Sequence, residues 1–168
     1  MNTRLVLSAA GVSVALETTG GDLPEVLHWG DELGAVTQTQ LAELSLATRA
    51  TVAPSAPDVP VRYAVLPEAR RGVTVRPGLI GSRDGRDWTP DWRVDAVTVD
   101  GAPAPAFASL GAAGVDFHAV APGLELTITV ELTPQGLVAA RAVVTNAGDY
   151  DNATCAMIVR EHGFEGPL

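Results

Sequence analysis

The chain alternates. In LELTITVEL, residues 124–132, Leu124, Leu126, Ile128, Val130 and Leu132 fall on one face, and Glu125, Thr127, Thr129 and Glu131 on the other. Period two with one wet side predicts a half-buried antiparallel strand. The turn residues TPQG follow, and LVAARAVVTN (137–146) predicts the returning strand of a hairpin. The same pattern predicts strands over RLVLS (4–8) and VSVALET (12–18), joined by a short Ala-Ala-Gly turn. Further strands are expected at VPVRYAVLP (59–67), at WRVDAVTVDG (92–101, ending in an Asp100-Gly101 turn) and at GVDFHAVA (114–121). Turn signals recur about every ten residues, as in a sandwich or barrel.

One segment departs from period two. TQTQLAELSLATR, residues 37–49, lacks Gly and Pro and sets Leu41, Leu44 and Thr48 on one helical face. Thr37 with Gln40 three residues later has the form of a capping box, so a short helix is expected here. APSAPDVP (53–60) reads as a surface connection, because strands of like pattern flank it. The expected organisation is a single, mainly β domain over residues 1–168.

Composition narrows the function classes. Of 168 residues, 46% are hydrophobic and 18% charged, enough apolar material for a core and too little charge for disorder. The net charge of −9 argues against a nucleic-acid partner. No run reaches the roughly 18 apolar residues that a membrane helix requires. Arg4 followed by LVLSAAGVSVAL imitates a secretory leader, but Gly11 and Ser13 interrupt the run and no small-x-small cleavage site follows. The expected location is the cytoplasm. Cys155 is the single cysteine and is expected to be a small buried hydrophobe. His28, His118 and His162 lie far apart in sequence, and no metal-ligand spacing occurs.

Two aromatic segments invite a chemical reading. In LPEVLHWGDELG (23–34), the simplest expectation packs Trp29 into the core, with His28 as a surface or capping group. RPGLIGSRDGRDWTPDW (76–92) holds two of the three tryptophans in the most polar and broken part of the chain. Trp92 can open the following strand. Trp88, between Asp87 and Thr89-Pro90, is harder to bury that way. An indole beside a carboxylate suits a sugar: the ring face covers a C–H patch, and the carboxylate accepts from vicinal hydroxyls. Arg83 and Arg86 are placed to orient that carboxylate. A salt-bridged structural loop is the alternative on spacing alone. Asp84, Asp87 and Asp91 are too close in sequence to be assigned as a glycosidase pair, whose members stand across a cleft.

Taken in order, LPEVLHWGDELG, then Val65-Leu66-Pro67-Glu68, then RPGLIGSRDGRDWTP resemble the N-terminal β-sandwich of bacterial α-galactosidases of glycoside hydrolase family 36. The resemblance runs from about residue 3 to 149. It implies an antiparallel, galactose mutarotase-like supersandwich with one short helix near 37–49. In this family a TIM barrel follows the sandwich and carries both catalytic aspartates, and neither metal nor organic cofactor is used. The resemblance therefore implies that residues 1–168 are an incomplete N-terminal domain, without the barrel and without catalytic residues. It also implies that a loop of the sandwich closes the galactose pocket, in some members across an oligomer interface. The matching positions are Asp87 and Trp88, expected to bind substrate. The implied partners are α-galactosides, in company with a catalytic domain, and further copies of the parent chain. A stand-alone carbohydrate-binding module and a purely structural assembly domain are the alternatives.

Overall fold

A computed structural model describes residues 2–49, 64–71, 76–81 and 89–148, with the backbone of 158–159. Two sheets face each other across one core. The first comprises β1 (Asn2–Ala9), β2 (Val12–Thr19), β3 (Glu25–Asp31) and, later in the chain, Phe107–Leu110. The helix α1 (Gln38–Ala47) follows β3, and the two-residue β4 (Leu79–Ile80) comes next. The second sheet contains β5 (Arg93–Val99) and β6 (Ala102–Pro103). The chain then returns to the first sheet as β7, the Phe107–Leu110 strand. The rest of the second sheet is β8 (Ala113–Ala121), β9 (Leu124–Leu132) and β10 (Val138–Asn146). A short β11 (Ile158–Val159) pairs with β4. Spatial order is β3-β2-β1-β7 in one sheet and β10-β9-β8-β5-β6 in the other.

The alternation produces these layers directly. Leu124, Leu126, Ile128, Val130 and Leu132 are all buried, against Val115, Phe117 and Ala119 of β8 and Leu5, Leu7, Val14 and Leu16 of the first sheet. Two hairpins rest on positive-φ turns. Ala10-Gly11 (φ 50° and 79°) joins β1 to β2, and Asp100-Gly101 (48° and 81°) joins β5 to β6. Such left-handed pairs match the strand twist. Asp100 is held there by its side chain, whose Oδ1 accepts from Gly114 N at 2.9 Å.

The outer face of the first sheet is covered by α1. Val6, Ala15, Leu27 and Leu41 form that second apolar layer. The expected capping box is present: Thr37 Oγ1 accepts from Gln40 N (3.2 Å), and Gln40 Oε1 accepts from Thr37 N (2.8 Å). The buried face of the helix differs from expectation. Leu41 and Ser45 are buried, Leu44 is half-buried and Thr48 is exposed. Thr48 closes the helix, its backbone N donating to Leu44 O. Ser45 turns inward because its hydroxyl donates to Glu17 Oε2 at 2.5 Å.

Three further expectations are corrected. Trp29 is not core: it is 52% exposed. It pairs with Val14 from β3, the edge strand of the first sheet, where Val26 on the same face is also exposed. Residues 64–67 are not strand. Ala64 makes one bridge to Glu25 and Val65 N donates to Pro24 O (2.7 Å), after which a 3-10 turn at Ala69–Arg71 begins. One pairing is parallel, β1 with β7, because the chain crosses from the second sheet back to the first before β7. Residues 59–63 and Cys155 lie outside the described residues.

Candidate functional site

The segment that carries the predicted site is described at both ends. Asp87 and Trp88 themselves lie outside the described residues, as do Arg83, Asp84 and Arg86. Thr89 to Trp92 are described, and Trp92 is core at 2% exposure, as the start of β5 should be.

Where the segment returns to the sandwich, charged groups gather. Arg71 Nη1 donates to Asp22 Oδ2 at 2.7 Å, and Nη2 lies in ion-pair contact with Oδ1 without making a hydrogen bond. Arg71 Nε donates to Glu68 Oε2 at 3.2 Å. Arg70 pairs with Asp91, and Arg93 lies between Asp91 (3.4 Å) and Asp22 (3.7 Å). The Arg70 guanidinium holds the Asp91 carboxyl below the usual range, with Arg93 adding to it.

Beside this network is a cavity of about 20 Å³, the space of one water molecule. Leu66, Pro67, Glu68 and Arg70 line one side, and Thr89, Pro90 and Trp92 the other. The Glu68 side chain is 5% exposed, and its Oε1 has no hydrogen-bond partner. Burial pushes its pKa above 4.5, and the nearby Arg71 and Arg70 charges only partly oppose this. A carboxyl that binds its proton more tightly folded than unfolded contributes stability that is complete at acid pH. That contribution is lost as pH rises through the folded value. Urea unfolding at steps between about pH 4 and 7 should therefore show a falling component that Glu68→Gln abolishes. An unchanged slope in the variant would assign the effect to another group.

Among the described residues, the two histidines lie on different sheets. His28 Nε2 contacts Asp31 O at 3.0 Å on the first sheet. His118 Nδ1 is 2.6 Å from Asp95 Oδ1 on the outer face of the second. His162 lies outside the described residues. Among the described residues no three His, Cys, Asp or Glu side chains come together as a metal site, and no helix is long and apolar enough to cross a membrane.

Sequence reasoning missed Asp22, Glu68 and Arg71. Glu68 and Arg71 are spaced to meet across a single turn, which was a usable signal. Asp22 lies 49 residues from Arg71, and nothing local links them.

The molecule is thus a two-sheet β-sandwich with a helix on one outer face and an ion-paired polar cluster beside Thr89 to Trp92. The chain belongs to the glycosyl hydrolase family 36 N-terminal domain family, whose model matches residues 22–154. Two solved structures share the fold: the family 36 α-galactosidase AgaA from Geobacillus stearothermophilus, and a variant of it in complex with 1-deoxygalactonojirimycin. Each aligns with a TM-score of 0.62 at 16% identity, over 87% of this chain and 22% of the other. The chain therefore spans about a fifth of the length of those enzymes. No curated protein matches the sequence.

Proposed function

We propose that this chain is the non-catalytic N-terminal sandwich of an α-galactosidase-like glycoside hydrolase, and that it supplies the loop that caps the galactose pocket. Asp87 accepts hydrogen bonds from galactose hydroxyls, and Trp88 lays its ring against the C–H face of the sugar. Retaining hydrolysis would be performed by two carboxylates of a barrel outside residues 1–168, without metal or organic cofactor. The parent enzyme is read as a cytoplasmic homo-oligomer.

The observation that carries this reading is the family match, whose bounds, residues 22–154, include the RDGRDWTPDW segment. The similar α-galactosidase solved with 1-deoxygalactonojirimycin supports a galactose-like ligand. The test uses an enzyme in which this domain is joined to a family 36 barrel. Asp87→Ala should raise KM for α-galactosides about 10- to 150-fold, the loss of one charge-assisted hydrogen bond of roughly 1.5–3 kcal/mol. Unchanged kinetics would remove the assignment. A stand-alone binding module would instead bind galactosides as the 168-residue chain, which titration calorimetry would detect.

A further inference from the structure

The segment 82–88 has two ends in the sandwich, and both stand on the same short piece of chain. At the entry end, Gly78 N donates to Pro67 O at 2.9 Å. The Gly78 backbone lies under the Leu66 side chain there: a Cβ on Gly78 would lie 2.3 Å from Leu66 Cδ1 and 2.9 Å from its Cγ. At the exit end, Asp91 pairs with Arg70, and Trp92 faces Leu66, Pro67 and Glu68 across the cavity. Residues 66–71 are a common base for both.

That base is itself tied to the first sheet. Val65 N donates to Pro24 O, and Arg71 grips Asp22, which follows β2. Asp22 also faces Arg93 at 3.7 Å, just past the exit. One residue before Asp22, Gly21 (φ 83°) accepts from Val94 N at 2.7 Å. A side chain on Gly21 would be strained by that φ and would meet Val94 O at 3.5 Å. Asp22 is therefore where the sheet, the base and the exit strand meet. The pair is joined by one hydrogen bond and a second charge contact, and is about four-fifths buried on each side, at 20% and 22% exposure.

The geometry points to Asp22 and Arg71 as positioning residues: together they fix the spacing and direction of both ends of the segment that carries Asp87 and Trp88. Neither is required to touch a ligand. The functional consequence rests on the capping role proposed above, whereas the mechanical one does not. Arg71 donates from Nη1 to Asp22 and from Nε to Glu68, so its planar guanidinium holds orientation as well as distance, which a lysine would not.

Two measurements separate the claims. In the 168-residue chain, Asp22→Asn keeps the shape and removes the charge. Hydrogen–deuterium exchange should rise about tenfold or more in peptides from 76–92, while peptides from β8 and β9 stay within about twofold. Combined with Arg71→Met it should add little, because the two act as one unit. No change in 76–92, an equal rise throughout, or full additivity would each overturn the proposal. In the barrel-joined enzyme, Asp22→Asn should raise KM about tenfold with kcat nearly unchanged, as expected for lost orientation of a binding group. If Asp87→Ala raises KM and Asp22→Asn does not, the positioning role fails alone. If the exchange result holds and neither variant changes KM, the capping reading fails and the mechanical role stands.

Discussion

Arg4→Met should destabilise the domain by about 3 kcal/mol or more, read as a lower midpoint in equilibrium urea unfolding. The reason lies with its partner. Glu17 is 1% exposed, on the face of the first sheet that α1 covers. Arg4 Nε donates to its Oε1 at 2.6 Å, and Ser45 Oγ donates to its Oε2. Arg4 and Glu17 are direct cross-strand neighbours in the β1–β2 register. Methionine keeps most of the apolar stem but leaves a buried carboxylate with one hydroxyl as its partner. An uncompensated buried charge typically costs about 3–5 kcal/mol, and the partial exposure of Arg4 places the estimate at the lower end. The triple change Arg4→Met, Glu17→Leu and Ser45→Ala should recover most of the loss, since an apolar replacement of a whole buried pair is often neutral. A loss below about 1 kcal/mol in the single variant would mean that water reaches Glu17 under the helix.

Trp92→Ala is the second large effect. The indole is 2% exposed, belongs to the core between the sheets and lines the cavity at the foot of the loop. Large-to-small changes at such sites cost about 3–5 kcal/mol, through lost burial and the void left behind. For a chain of this size that corresponds to a melting point lower by roughly 6–20 °C. Trp92→Phe, which keeps a ring, should lose clearly less. A shift of only a degree or two for the alanine variant would show that Trp92 is not a structural member of the core. The contrast with the proposed role of Trp88 is testable in the same experiment. Trp88→Ala should weaken galactoside binding in the joined enzyme at little cost in stability, and the reverse outcome would exchange the roles of the two indoles.

The two tryptophans show how differently a sequence informs. Trp92 was legible because it opens a run in which apolar residues must face one way, and the core position follows. Trp29 was misread for a reason of the same kind. It pairs with Val14, which is buried, so the period places it on the inner face. Period two states which face a residue is on, but not how far the opposite sheet extends over it. On the edge strand β3 that extent decides, and Trp29 remains half-exposed. The face of α1 was shifted in the same way. Leu41 was expected inside and is, but Ser45 took the inward place given to Thr48 because Glu17 beneath it needed a hydroxyl donor. A helical wheel weighs polarity and has no knowledge of a carboxylate under the helix.

The sequence by itself determined the strands β1, β2, β5, β8, β9 and β10, the turns between β1 and β2 and after β5, the capped helix and the mainly β class. It also marked the segment 76–92 as the place where chemistry was worth seeking. Those features follow from local periods and from residues whose backbone preferences act within a few positions. Only the tertiary structure decided that β7 returns parallel to β1, that Glu17 is enclosed beneath a helix, and that Asp22 reaches Arg71. Each is a meeting of residues far apart along the chain. Such meetings are fixed by how whole layers stack and how far each one reaches, a property that no window of neighbouring residues contains.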